Sequence, residues 1–191
     1  MIRESDLPPS SWVDVGTLAR LFDDCVTSYK YFFFLALLDR ISGKQHDSAV
    51  SIGDRPIPLR QLAVDMVLAA WYPHGFCRLF FGLQDRLQPA VDEVFMGQRV
   101  RGTWIAAGGS EWHRLRSVCE NRLKSESFLQ YVPYRLLRPF FSRELRGIPD
   151  QRVNERIADM AEKCFIDRRP LYCFTSDRTG IILHHEWIEY L

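Results

Sequence analysis

The run Tyr31-Phe32-Phe33-Phe34-Leu35-Ala36-Leu37-Leu38 restricts the folding options of this chain more than any other stretch. Lys30 on one side and Asp39-Arg40 on the other hold its apolar length far below the roughly 20 residues that a membrane span needs. A helix apolar on nearly every side has to be covered on nearly every side. The spacing therefore predicts a helix over 29–41, capped by Thr27 or Ser28 and closed by Gly43, as the central element around which others pack.

The remaining chain supplies enough material to cover it. With 191 residues and 47% hydrophobic content, the chain can bury a sizeable core. Helical periodicity predicts elements over 15–26, 59–71, 76–81, the residues after Pro89, 111–124, 134–145 with an interruption at Pro139, and 150–164. In the last of these Val153, Ile157, Met160, Ala161 and Cys164 share one face. The residue before a proline is pushed out of the helical region, so the 59–71 helix is expected to stop at Tyr72-Pro73. Two short β-hairpins are expected, one over 49–57 around Gly53-Asp54 and one joining 171–175 to 181–183 through Ser176-Asp177-Arg178-Thr179-Gly180. The fold class expected is mainly α, a compact multi-helix domain with two short β-hairpins. The domain expectation is a helical domain over 1–168, then a hairpin and the start of a helix over 169–191 that leads into a further C-terminal module.

Cysteine usage points to a reducing compartment. Cys25, Cys77, Cys119, Cys164 and Cys173 are odd in number, widely spaced and set in apolar segments, without a paired C-x-x-C. They read as buried thiols of a cytoplasmic protein, and residues 1–6 do not read as a secretory signal.

Charge is where function becomes legible. Residues 1–96 hold 9 basic and 12 acidic side chains, residues 97–147 hold 10 and 4, and residues 148–191 hold 6 and 8. The middle block carries Arg114, Arg116, Arg122, Lys124, Arg135, Arg138, Arg143 and Arg146, with Trp112, Tyr131 and Tyr134 interleaved. Arginine suits bidentate contacts to phosphate, and aromatic rings lie well against sugar or base. The competing reading pairs these arginines with the excess acids of the first half, inside the protein. Asp65, opposite the strongest apolar stripe of its helix, reads as an ordinary exposed acid, and Asp85 as a turn cap.

Motifs for phosphate loops, dinucleotide binding and hydrolase nucleophiles are absent. His184-His185-Glu186 is the only dense cluster of metal-type ligands. On a strand, neighbouring side chains point to opposite faces, so the two histidines are expected not to share a metal, and a helix N-cap is the preferred role.

Residues 27–39, Ala70-Trp71-Tyr72-Pro73, Phe81-Gly82-Leu83-Gln84-Asp85 and Val132-Pro133-Tyr134-Arg135-Leu136-Leu137-Arg138-Pro139-Phe140-Phe141 form a pattern that no chemical motif explains. Together they resemble the N-terminal region of a family of bacterial proteins whose C-terminal part carries an HNH (ββα-metal) endonuclease motif. The resemblance covers most of residues 11–190 and includes the triplet Ser28-Tyr29-Lys30; it departs at Leu83, where the family pattern has a lysine. The resemblance implies a nucleic-acid-recognition region of a metal-dependent endonuclease acting in defence against foreign DNA, with Lys30 a further candidate contact. The Asp-His pair, proline and asparagines of the cutting motif are not in these 191 residues. No catalytic residue, metal ligand or cofactor is therefore assigned here, and a divalent metal is expected only for an HNH module. The expected partners are nucleic acid, DNA first, and a second copy of the chain, with no membrane. The alternative is a protein–protein interaction or dimerisation module that does not bind nucleic acid.

Overall fold

The computed structural model describes residues 3–23, 27–43, 55–98, 109–124 and 127–191. In chain order these form α1 (Val15–Ala19), α2 (Tyr29–Ile41), β1 (Ile57–Pro58), α3 (Leu59–Ala70), α4 (Leu87–Phe95), α5 (Ser110–Arg122), α6 (Val132–Leu137), α7 (Asp150–Lys163), α8 (Phe165–Arg168), β2 (Tyr172–Phe174), β3 (Gly180–Leu183) and α9 (His185–Tyr190). The chain is mainly α, as its periodicity predicts, with one small antiparallel sheet among the described residues. No helix among them is long and apolar enough to cross a membrane. The fold comprises two compact units, each built from separated stretches of chain: Val26–Val50 with Leu59–Gln130, and Met1–Cys25 with Ser51–Pro58 and Tyr131–Leu191.

In the first of these units the central helix is α3, not α2. Eight of the 12 residues of α3 are buried, Asp65 among them, and α2, α4 and α5 all pack on it. Helix α2 buries Phe33, Ala36, Leu37 and Arg40 but leaves Tyr31 and Leu35 exposed, so a strip of its nearly continuous apolar surface stays open. Ser28 stands at the N-cap position of α2, but its side chain makes no capping bond to the helix. Its N–H and hydroxyl both donate to Asp85 Oδ2 (2.9 and 2.6 Å), while Asp85 Oδ1 accepts from Leu87 N, so one buried carboxylate ties together the starts of α2 and α4.

The α-helix expected over 59–71 ends at Ala70, but the chain does not leave helical conformation at Tyr72-Pro73. The chain continues through Trp71–Phe76 as a π-helical turn, closed by Cys77 N–H donating to Tyr72 O at 3.0 Å. A wider turn accommodates a proline ring that would strike the carbonyl four residues back in an α-helix. Gly75 makes the turn fit: a Cβ there would lie 2.2 Å from the Trp71 ring. The expected helix over 76–81 is absent, because Arg78 takes a left-handed conformation (φ 58°) just after the turn. His74 pins the segment, with Nδ1 2.9 Å from Leu79 O and Nε2 2.8 Å from Asp92 Oδ1.

In the other unit, the three strands run in the order β1-β3-β2, with Ile57 opposite Ile181 and Cys173 opposite Ile182. The predicted 171–183 hairpin is present. Most of the predicted 49–57 hairpin lies outside the described residues, and its end, Ile57–Pro58, joins β3 as a third strand. Helix α7 packs its Val153, Ile157 and Ala161 face against β2 and α6. Tyr172 donates its hydroxyl to Pro133 O, and Trp187, fully buried, donates Nε1–H to Arg169 O at 2.8 Å.

Candidate nucleic-acid interface

The basic block divides between the two units, and the two halves spend their charge differently. In the half on α5, most of the charge is used internally. Arg116 Nη1 sits 2.6 Å from Asp65 Oδ1, its Nε 3.2 Å from Glu120, and its guanidinium lies over the Trp112 ring. Asp65 Oδ2 takes Arg40 Nε at 2.6 Å, so a fully buried carboxylate is held by two arginines. This corrects the reading of Asp65 as an exposed acid and removes Arg116 and buried Trp112 from the candidate contact set. Arg122 Nη1 donates to Val94 O (3.3 Å) and Met96 O (2.9 Å), closing the C-terminal carbonyls of α4, where a cation is favoured. Arg114 forms a two-pronged pair with Glu111 (2.9 and 2.7 Å), a hydrogen bond that raises the arginine pKa further. Lys124, largely exposed, lies 3.6 Å from Glu93, and Lys30 is half-buried in the first turn of α2.

The half on α6 and the turns after it is different. Arg135, Arg138, Arg143 and Arg146 are all exposed, and none forms an ion pair with a carboxylate among the described residues. Nearby Arg168 is engaged, bonding Glu144 and Phe140 O and lying over the Phe141 ring. Tyr134 faces inward and stacks on Phe174 at 4.6 Å, which removes it as a contact. Tyr131 stays 46% exposed with the Arg135 guanidinium 5.1 Å from its ring centre. Tyr131, Arg135 and Arg138 recur at i, i+4 and i+7 and, with Asp150, Gln151 and Asn154 of α7, line a cleft of about 350 Å³ floored by Val153 and Ile157. Sequence reasoning found the arginines but not the α7 side of the cleft, whose polar residues look like any solvated helix face.

His184 takes the N-cap role that the sequence suggests: β3 ends at Leu183, His184 is the N-cap of α9, and the two rings, rather than lying on opposite faces of a strand, stack with centroids 4.7 Å apart. They still make no metal centre. His184 Nδ1 accepts from Glu186 N–H (3.4 Å), the ring also bonds the Phe165 backbone, and Glu186 pairs with Arg169 at 2.8 Å. Among the described residues no three His, Cys, Asp or Glu side chains converge as metal ligands, so no metal-dependent step is derived from them.

Comparison of the chain with protein-family models, with curated proteins and with solved structures finds no match.

Proposed function

We propose that this chain is a non-catalytic nucleic-acid-recognition region, of the kind the HNH-endonuclease resemblance implies, and that it contacts phosphate through Arg135, Arg138, Arg143 and Arg146. One observation carries the reading: four exposed arginines within 12 residues form no ion pair with a carboxylate among the described residues, whereas Arg116 and Arg122 are held internally. The link to a metal-dependent endonuclease and to defence against foreign DNA rests on the resemblance alone. Reading the gene beyond the codon for Leu191 tests that link: an open frame with Asp-His, a proline and asparagines supports it, and a stop codon removes it.

Binding itself is tested by anisotropy of a labelled DNA oligonucleotide titrated with the whole chain. About four phosphate contacts predict a loss of roughly a hundredfold in affinity between 50 and 200 mM salt. Replacing Arg143 and Arg146 by Gln should flatten that slope by about half. Binding that ignores both salt and the substitutions would sink the proposal.

A second reading has its own observation. Phe76 at the end of the π turn and Leu79, Phe80 and Leu83 after it are exposed, Leu83 at 95%. Apolar side chains grouped this way mark protein contact surfaces. Under that reading the chain self-associates independently of salt, and Phe80→Ser with Leu83→Ser lowers its mass in sedimentation equilibrium.

A further inference from the structure

We propose that the α6–α7 cleft is a seat for one unpaired nucleotide, so that the chain prefers single-stranded to duplex nucleic acid. The inference rests on the nucleic-acid reading above and deepens it. At about 350 Å³ the cleft lies at the lower end of small-ligand pockets, enough for one nucleotide and too narrow for a double helix.

Its chemistry is divided in a way that suits such a guest. Tyr131 offers a ring with one face under the Arg135 guanidinium and nearly half its surface open, which makes a stacking platform. The faces of bases inside a duplex are covered by their neighbours, so a stacking platform is usable only by a base outside the helix. Arg138, one turn beyond Arg135 on the same face, places a second guanidinium at the cleft for the phosphate. Across the cleft, the first turn of α7 presents Asp150 and Gln151. A carboxylate repels phosphate but accepts hydrogen bonds from an exocyclic amino group, as it does with cytosine N4. The guest is therefore oriented with its phosphate toward the arginines and its base edge toward Asp150, and a base bearing an amino group is favoured over thymine.

The test uses the whole chain and labelled 12-nucleotide DNA strands: oligo-dC, oligo-dT, and a mixed sequence both single and annealed to its complement. The single strand should bind at least tenfold more tightly than its duplex. Tyr131→Leu should weaken single-strand binding roughly five- to a hundredfold, the range expected for one lost stacking contact, while Tyr131→Phe retains it. Oligo-dC should bind more tightly than oligo-dT, and Asp150→Asn should narrow the difference. Circular dichroism confirms that each variant is folded. Equal affinity for strand and duplex, with Tyr131→Leu unchanged and the salt dependence intact, overturns the cleft proposal and leaves the arginine surface standing. No binding of either form at 50 mM salt overturns both.

Discussion

Asp65 shows how a single position decides what its neighbours are for. It sits among Ala63, Val64, Met66 and Val67 on the central helix with no exposed surface, and its two oxygens take Arg40 and Arg116 at 2.6 Å each. Burying a carboxylate is costly unless charge-assisted hydrogen bonds replace its water, and here two guanidinium groups do so. Removing the acid takes the shared carboxylate from two guanidinium groups that are nearly out of solvent. Asp65→Ala should therefore cost about 3–5 kcal/mol in urea unfolding, the range for breaking a buried pair. Arg116→Gln should lower stability without altering affinity for DNA, which separates structural arginines from contacting ones. The thiol of Cys119, one turn along α5, provides a local readout. Burial pushes its pKa up to about 12. In the native protein at pH 8 it should resist alkylation while exposed Cys77 reacts, and in Asp65→Ala it should become reactive.

At the scale of elements, the start of α9 depends on the protonation state of its cap. His184 is buried, and its Nδ1 must keep a lone pair to accept the Glu186 N–H. Desolvation, then the neighbouring His185 charge, hold its pKa below the usual 6.5. A folded-state pKa lowered this way means that the unfolded chain binds the proton more readily. Its contribution is therefore complete above about pH 6.5 and is lost as pH falls through the folded value. Urea midpoints should drop between pH 7.5 and 5.5, and His184→Asn, which keeps a capping oxygen, should flatten that part of the profile. An unchanged profile would assign the pH dependence elsewhere.

The elements differ in how much of themselves they display in sequence. Helix α7 and the β2–β3 hairpin are plain, because one face of each is buried and the period shows it. Helix α2 misleads, since composition cannot distinguish a helix covered on all sides from one that leaves Tyr31 and Leu35 in water. The π turn at Pro73 is invisible to a rule that makes proline a stop. The site follows the same logic. Arginines can be counted from sequence, but the partners that occupy Arg116 and Arg122 lie 51 and 26 residues away, and only the fold brings them together.

The whole molecule is organised so that neither unit is a contiguous stretch of chain. The unit that holds the candidate cleft takes residues from both ends of the sequence and a strand from the middle. Three described links bind its C-terminal stretch to earlier residues. Ile57 pairs with Ile181 in the sheet, Tyr190 donates its hydroxyl to Pro8 O at 2.7 Å, and Arg169 Nη1 donates to Trp12 O at 2.9 Å. Cutting the chain before Tyr131 removes β1 from the edge of β3 and takes away the Pro8 and Trp12 carbonyls that Tyr190 and Arg169 bond. A two-stranded sheet relies on what packs on it, and a fragment of about 60 residues buries too small a fraction of its surface to spare a strand and two anchoring bonds. A fragment of residues 131–191 should therefore give a collapsed amide NMR spectrum although it carries every residue of the cleft. Adding the 1–130 fragment should restore dispersion and, with it, oligonucleotide binding. A folded 131–191 fragment that bound DNA unaided would mean that the cleft needs only α6, α7 and the hairpin, and that the discontinuity of the unit contributes nothing to the site.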